Sequence, residues 1–149
     1  MIKVRNYLVD DLNKVYDLFQ NTVHVVNSKD YSENQIKAWI NIDTTKLNNN
    51  LLSTHSKVIT QDNAILGFGN VDDTGYIDMF FIHADYQNKG LGSVLLSRLE
   101  YEVSTKLLFV HASITSRAFF EHKGYQVKQE NHVQVRGQKF INYTMTKSR

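Results

Sequence analysis

The chain has 149 residues, a length typical of one domain spanning residues 1–149, and 42% of them are hydrophobic, enough for a buried core. Seventeen Lys and Arg against fifteen Asp and Glu give a net charge of +2, which does not indicate a nucleic-acid partner. Because cysteine is absent, disulfides, thiolate metal sites and cysteine nucleophiles are excluded. No apolar run approaches the roughly 20 residues of a membrane span, and the N-terminus lacks a signal-peptide pattern, so we expect a cytoplasmic protein without a membrane partner.

The first third of the chain is predicted to be mostly helical after one short strand over residues 1–7. Asp10 or Asp11 is placed to cap the first helix, because a carboxylate accepts hydrogen bonds from the free N–H groups of a first turn. Ser32 and Gln35 form the pattern of a capping box before a second helix, and a third helix is expected over residues 45–53. The apolar positions of the first helix recur at helical spacing: Leu12, Val15, Tyr16, Phe19 and Val23.

The middle of the chain predicts three strands. Residues 57–61 and 64–71 form two of them, joined by the two-residue turn Asp62-Asn63. A further turn at residues 72–75 leads into the third strand, residues 76–82. This strand has apolar residues on both faces, which predicts a central and buried position.

The last third predicts two helices and three strands. A helix follows residue 90, a short strand covers residues 107–110, and a helix over residues 116–123 ends at Gly124. Residues 125–135 and 139–147 form a closing pair of strands around the turn Arg136-Gly137. Helices and strands therefore mix without strict alternation, which indicates the mixed α/β (α+β) class.

One turn stands out as a candidate binding element. The segment Gln87-Asn88-Lys89-Gly90-Leu91-Gly92 follows the predicted central strand and begins an amphipathic helix. The first N–H groups of a helix have no internal partner and carry the positive end of its dipole, and glycine lets the backbone approach an anion closely. Lys89 and Ser93 add a positive charge and a hydroxyl. The segment predicts an anion-binding turn, with an ordinary strand-to-helix turn as the alternative, since short glycine motifs are common by chance.

The stretch from Tyr76 to Gly92 resembles the central motif of the GNAT (GCN5-related N-acetyltransferase) superfamily. That motif is a strand, an acidic-aromatic link, then Gln or Arg, two residues, Gly, one residue, and Gly or Ala. The sequence Phe-Phe-Glu-His-Lys-Gly-Tyr at 119–125 resembles the later family motif, and Ala-Ser-Ile-Thr at 112–115 is similar to a segment of small bacterial members. The resemblance covers the whole chain and implies a central, mostly antiparallel, twisted sheet of about seven strands flanked by helices.

The resemblance also implies a function and a set of binding residues. It implies transfer of an acetyl group from acetyl-CoA to a primary amine of a small molecule or peptide, by direct attack in a ternary complex, in a monomer or homodimer. The pantetheine arm would lie between the strands at 76–82 and 107–110, and a backbone N–H near Phe81 or Ile82 would polarise the thioester carbonyl. The implied contacts with coenzyme A are Phe81, Ile82, His83, Gln87, Asn88, Lys89, Gly90, Leu91, Gly92, Ser93, Ser113, Phe119 and Phe120.

Two departures from the family pattern bear on the function, at Ser113 and Phe120, whereas Ala84 and Asn88, in place of the common Pro and Gly of the link, do not. Many members have Asn near the position of Ser113 and Tyr at that of Phe120, where the Tyr is often proposed to protonate the leaving thiolate. Phe120 has no proton to give, so an alternative function is a GNAT-fold module that binds acyl-CoA without turnover. A thiolate leaves readily near neutral pH, so a missing acid would slow the reaction rather than forbid it. Ser113 has a second interpretation as a helix N-cap.

The base that deprotonates the amine is predicted to be Asp78. Asp78 is two residues from both Tyr76 and Phe80, which places the three on one strand face, and a carboxylate in a mostly apolar strand is poorly solvated, which suits a base. The alternative is a structural Asp that pairs with an Arg or caps a helix. Four histidines are further candidates, although each is individually more typical of a structural or surface residue: His24, His55, His83 and His111.

Two aromatic residues are candidates for the acceptor site. Tyr31 and Trp39 lie in the early helical region, where the family places the walls of the acceptor site, and core packing is the simpler interpretation of both. The chain has no His-x-x-x-His or Cys pattern, so no metal site is predicted.

Overall fold

The computed structural model describes all residues from 1 to 149. Seven strands form one sheet: β1 (Ile2–Asn6), β2 (His55–Gln61), β3 (Ala64–Val71), β4 (Tyr76–Ile82), β5 (Leu107–Ser113), β6 (Gln126–Val135) and β7 (Gln138–Ser148). Five α-helices accompany it: α1 (Leu12–Val26), α2 (Glu33–Ile40), α3 (Thr44–Ser53), α4 (Leu91–Glu102) and α5 (Arg117–His122). No helix is long and apolar enough to cross a membrane.

The sheet has the strand order β1-β2-β3-β4-β5-β7-β6. Every neighbouring pair is antiparallel except β4 and β5, which are parallel. The predicted class and the predicted element order are confirmed, including the central place of β4. The prediction that β4 is buried on both faces is wrong, because Ile77 is its only fully buried residue and Asp78 is exposed. Beyond Ile77, the edge of β4 that faces β5 borders an open cleft.

Each face of the sheet carries its own hydrophobic core. Val58 and Ile59 are neighbours in β2 yet belong to different cores, because successive side chains of a strand point to opposite faces. Ile59 packs with the buried leucines of α4, among them Leu95 and Leu99. Val58 packs on the other face with α1, α2 and α3. The sheet therefore separates α4 from α1, and this separation also defines the two sides of the cleft.

The predicted turns and caps are largely confirmed. Asp62 and Asn63 have positive φ angles of 50° and 68°, and Arg136 and Gly137 have φ angles of 45° and 84°, so both hairpins use two left-handed turn residues. The capping box of α2 forms, with the Gln35 N–H donating to Ser32 Oγ at 3.2 Å and the Ser32 N–H donating to Gln35 Oε1 at 2.8 Å.

Asp11 does not cap α1 as predicted, and neither does Asp10. The Asp11 carboxylate instead accepts hydrogen bonds from both terminal nitrogens of Arg5, at 2.8 and 2.9 Å, and from the Leu8 N–H at 2.8 Å. The guanidinium of Arg5 holds the pKa of Asp11 below its ordinary value, against the opposing effect of burial. Asp11 therefore fixes the connection between β1 and α1 rather than the helix end.

Replacing Asp11 with alanine is expected to lower the free energy of unfolding by about 2 kcal/mol at neutral pH, because a buried, charge-assisted set of bonds is lost. A lowered native pKa means that this stabilisation is complete above the ordinary value of 3.8 and disappears as the pH falls through the lower native value. Urea unfolding at pH 7 and in acid measures both effects. Asp10, which is exposed, provides the control, and Asp10→Ala should change stability by less than about 0.5 kcal/mol.

Candidate active site

A cleft opens where β4 and β5 separate. The two strands pair only at Tyr76 with Phe109 and at Ile77 with Val110, near their N-terminal ends. Beyond these pairs the strands diverge, while β4 stays paired with β3 and β5 stays paired with β7. The resulting cleft has a volume of about 1680 Å³ and is lined by β4, β5, α5, the start of α4 and the end of α1.

A bulge in β4 lies at the point of divergence. Asn70 alone lies opposite Asp78 and Met79, between the pairs Gly69–Phe80 and Val71–Ile77. The buried Asn70 side chain replaces the missing strand bond, because its Oδ1 accepts the Met79 N–H at 2.8 Å. A bulge bends its strand and strengthens the local twist, so this one helps to turn β4 away from β5.

The C-terminal half of β4, beyond its pairs with β5, presents unpaired backbone groups to the cleft. The His83 N–H donates to the Leu66 carbonyl at 2.7 Å, which makes these two a hydrogen-bonded pair between β4 and β3. Hydrogen-bonded and non-hydrogen-bonded pairs alternate along antiparallel strands, so the N–H groups of Phe80 and Ile82 point away from β3, into the cleft. The Ile82 carbonyl agrees with this orientation, since it accepts the Gln87 side chain at 2.6 Å.

The structure does not place His83 in the cleft wall. Its N–H is used by Leu66, its carbonyl accepts the Tyr86 N–H at 2.9 Å, and its Nδ1 accepts the Asp85 N–H at 3.0 Å. His83 therefore belongs to the link between β4 and the glycine turn, and neither of its backbone groups is free to make the predicted contact with a pantetheine arm.

The glycine turn has free amides at the N-terminus of α4. None of the N–H groups from 87 to 93 donates a hydrogen bond within the chain, and the first helical bond of α4 starts at the Val94 N–H. Gly90 is the N-cap, with φ of 81° and ψ of 0°, and Asn88 is also left-handed, with φ of 60°. A β-carbon at Gly90 would meet no atom within 4 Å, so the turn faces open space. A row of unpartnered amides at a helix N-terminus is an anion-binding arrangement.

The side chains of the turn have different roles. Gln87 ties the turn to the end of β4 through the Ile82 carbonyl. Lys89 does not line the cleft, and its ammonium lies 5.2 Å from the centre of the Tyr86 ring. Gly92 sits under Phe119, whose ring would be 2.9 Å from a β-carbon at that position. The second glycine is therefore required by the approach of α5, whereas the first leaves room in front of the amides.

The opposite wall is built by the end of β5 and by α5. The hydroxyls of Ser113 and Ser116 are 3.0 Å apart, and each oxygen also accepts the other residue's N–H at 3.0 Å. Ser113 thus stabilises the turn that precedes α5 and lines the cleft. The N-cap residue of α5 is Ser116, so the interpretation of Ser113 as a helix N-cap is wrong. Phe120 is 1% exposed and packs against Phe80 and Tyr125, with ring centres 5.5 and 5.3 Å apart. Phe120 is therefore a core residue that also lines the cleft.

Asp78 lies in the cleft at the bulge, and its environment differs from the prediction. It is exposed, and its Oδ2 accepts a hydrogen bond from the Asn50 side chain of α3 at 2.8 Å. The bulge breaks the two-residue alternation of β4, so Phe80 packs with the α4-side core whereas Asp78 contacts α3 on the other side. The predicted common face of Asp78 and Phe80 is therefore wrong. The carboxylate is held by an amide rather than enclosed by apolar side chains.

Two more polar side chains line the cleft beside Asp78. Burial, followed by the charge of Asp78, raises the pKa of Tyr76 to about 12, so its hydroxyl stays protonated at neutral pH. His111 is exposed on β5, with its ring centre 5.4 Å from that of Tyr76 and its Nδ1 3.1 Å from Thr144 Oγ1. The other candidate histidines, His24 and His55, lie outside the cleft, and His55 pairs with Asp73 at 2.6 Å.

Tyr31 and Trp39 line the cleft from the helical side. The Tyr31 hydroxyl accepts the Ile114 N–H at 2.9 Å and donates to the Ile141 carbonyl at 3.2 Å, and burial raises its pKa. Trp39 packs edge-on against Tyr31, with ring centres 5.2 Å apart. Both residues therefore belong to a packed aromatic wall that joins α2 to β7.

A family model described as an acetyltransferase (GNAT) domain matches residues 27–147. The chain belongs to the GNAT family of acetyltransferases. The uncharacterized N-acetyltransferase YafP of Escherichia coli K12 is 34% identical over 144 residues, which cover 97% of this chain and 94% of YafP. A GCN5-related N-acetyltransferase from Rhodopseudomonas palustris is 31% identical, with a TM-score of 0.96 over 99% of this chain and 95% of that one. These matches confirm the predicted resemblance and the predicted sheet.

A more distant structure has the same fold with a bound molecule. The PaiA N-acetyltransferase from Thermoplasma acidophilum, described in complex with coenzyme A, has a TM-score of 0.79 at 18% identity. The alignment covers 100% of this chain and 99% of PaiA. Likeness at this identity establishes the common GNAT fold.

Two polar residues, one that lines the cleft and one beside it, are absent from the predicted site. Asn50 holds the Asp78 carboxylate, and Asn27 lines the cleft from the end of α1. Neither belongs to a motif, and each depends on how a helix packs across the sheet. The only available signal was the polarity of the two side chains in otherwise amphipathic helical segments, which is too common to select them.

Proposed function

We propose that this protein is an acetyl-CoA-dependent N-acetyltransferase that acetylates a primary amine by direct attack. The observation that carries the proposal is the row of unpartnered amides at residues 87–93, next to the unpaired edge of β4. These two features supply an anion site and a set of backbone donors in one continuous cleft. The fold shared with PaiA, which is described in complex with coenzyme A, supports the choice of ligand.

The diphosphate of coenzyme A would bind at the glycine turn. Free N–H groups and the helix dipole both favour negative charge at the start of α4. The open space in front of Gly90 would admit a phosphate, which a side chain at this position would obstruct. In this proposal the contacts come from the backbone amides of seven consecutive residues: Gln87, Asn88, Lys89, Gly90, Leu91, Gly92 and Ser93. The Lys89 ammonium, which lies over Tyr86, has no direct part.

The pantetheine arm and the thioester would lie in the gap between β4 and β5. The inward N–H groups of Phe80 and Ile82 take the place of the contacts expected from His83, while the Phe81 ring serves as part of the wall against Phe19 of α1. A backbone donor that points at the thioester oxygen would stabilise the negative charge that develops there. Phe119 would cover the arm from the α5 side.

The chemical step would be an attack by the neutral amine on the thioester carbonyl carbon. A C–N bond forms, the C–S bond breaks, coenzyme A leaves as the thiolate, and the proton of the amine passes to Asp78. Asp78 suits this role because it lies at the divergence of the strands and Asn50 fixes its orientation. Phe120 has no acidic proton to donate, so the residue at this position cannot assist the leaving thiolate. A thiolate with a pKa near that of cysteine leaves without such assistance.

Release of free thiol from acetyl-CoA tests the proposal. We expect turnover on at least part of a panel of primary amines, with an acetylated product of increased mass, and no turnover on tertiary amines, which lack the proton that must leave. Binding of acetyl-CoA without turnover on any amine would instead favour the non-catalytic acyl-CoA-binding module, for which the buried Phe120 is the supporting observation. Absence of binding would contradict both functions.

A further inference from the structure

Asn27, the residue after α1, is a buried amide without a partner. It is 5% exposed, lines the cleft, and its side chain makes no hydrogen bond within the chain. Asn70 provides the contrast, since it is 0% exposed and uses both ends of its amide, with Met79 N–H donating to its oxygen and its nitrogen donating to Thr54. Buried polar side chains in native proteins nearly always have partners.

The missing partner of Asn27 must come from the cleft. The only side-chain polar atom that is sealed from solvent without a hydrogen bond is Thr105 Oγ1, so the amide of Asn27 is not sealed. Asn27 is nevertheless almost entirely buried, and its small exposed part faces the cleft that it lines. An amide in this position can donate and accept at once, which matches a hydroxyl or another amide better than an apolar or a purely accepting group.

The position of Asn27 assigns it to one side of the cleft. It follows α1, which packs in the core on the opposite face of the sheet from α4 and its glycine turn. It shares its side with the aromatic wall of Tyr31 and Trp39. A donor bound with its diphosphate at the turn would approach from the α4 side, and this leaves the α1 side to the acceptor.

We propose that Asn27 binds the acceptor, and that the acceptors of this enzyme are primary amines that carry a neutral hydroxyl or amide group. The inference rests on the proposed function. Asn27 would hydrogen-bond this second group, while the aromatic wall covers the carbon chain between it and the amine. The side chain thereby selects among acceptors and takes no part in moving the proton.

Matched pairs of amines test the proposal, each pair consisting of a hydroxyl- or amide-bearing amine and its alkyl analogue. We expect the wild-type enzyme to favour the polar member in kcat/KM by about 10-fold or more. Asn27→Leu, which keeps a similar volume, should reduce this preference to within about two-fold and leave the KM for acetyl-CoA unchanged. An unchanged preference would overturn the proposal, and so would a loss confined to the KM for acetyl-CoA, which would assign Asn27 to the donor arm.

Thermal unfolding without ligands separates binding from a structural role. Removal of a buried amide that has no partner should leave the melting temperature unchanged or raise it, whereas Asn70→Leu should lower it because two bonds are broken. If Asn27→Leu is destabilised as strongly as Asn70→Leu, Asn27 is structural and the proposal fails. If the wild-type enzyme acetylates amines without any preference for polar ones, the acceptor assignment fails while the proposed function stands.

Discussion

Replacing Gly90 with glutamate is expected to weaken the binding of coenzyme A by at least about 100-fold, which corresponds to about 2.7 kcal/mol. The new carboxylate would stand in the space in front of the free amides at residues 87–93, where the diphosphate is proposed to bind. Like charges brought together at a binding surface cost several kcal/mol. Isothermal titration calorimetry with coenzyme A measures the effect directly and needs no amine substrate.

Gly137 offers a matched control for this substitution. Gly137 and Gly90 have similar φ angles, 84° and 81°, and a β-carbon at either position would meet nothing within 4 Å. The backbone strain of a glutamate should therefore be similar at the two sites. Gly137 lies in the turn between β6 and β7, away from the glycine turn. We expect Gly137→Glu to keep normal affinity for coenzyme A. Unchanged affinity in Gly90→Glu, or an equal loss in both variants, would remove the glycine turn as the diphosphate site.

The regular elements were predictable because their signals are local. The capping box at Ser32 and Gln35 needs only neighbouring residues, and it forms as expected. The four-residue spacing of Leu91, Leu95 and Leu99 reports a single buried helix face, which the structure places in the α4-side core. The glycine turn was also recognisable, because its position between a strand and a helix is itself a sequence feature.

The incorrect predictions concern residues whose partners are distant in the sequence or whose strand is irregular. Asp is a common helix N-cap residue, but the carboxylate of Asp11 forms an ion pair with Arg5 of β1 instead. Asp78 was assigned to the face of Phe80 by counting alternate residues, and the bulge opposite Asn70 breaks that count. The bulge depends on how β4 pairs with β3, so the alternation of residues within β4 alone does not indicate it.

The positions of the polar residues in and beside the cleft depend most on tertiary structure. Asn50 reaches Asp78 across 28 positions of sequence, because α3 packs against the sheet at β2. Asn27 differs from the other buried amide, Asn70, in that its side chain has no hydrogen-bond partner. Nothing in the sequence indicates a missing hydrogen bond. The glycine turn is therefore recognisable from its sequence motif, whereas Asn27 and Asn50 are recognisable only from the structure.

Replacing Asp78 with asparagine is expected to lower kcat by about 10²- to 10⁴-fold, the range that general base catalysis contributes. The side chains have nearly the same shape, and asparagine can still accept the bond from Asn50, so the cleft should keep its geometry. Affinity for acetyl-CoA should change less than about two-fold, because the carboxylate is removed from the acyl end and the diphosphate site remains. Steady-state thiol release and calorimetry together separate these effects.

Two variants make the Asp78 result interpretable. Asp73→Asn removes the same charge from an exposed turn outside the cleft, where Asp73 pairs with His55, and it should leave kcat near the wild-type value. His111→Gln tests the other polar group at the divergence of the strands, whose ring is held by Thr144. If Asp78→Asn retains full activity and His111→Gln loses it, the base lies on β5 and not on β4. If neither change slows acetylation, the amine must lose its proton to water, and the cleft then acts through positioning and backbone donors alone.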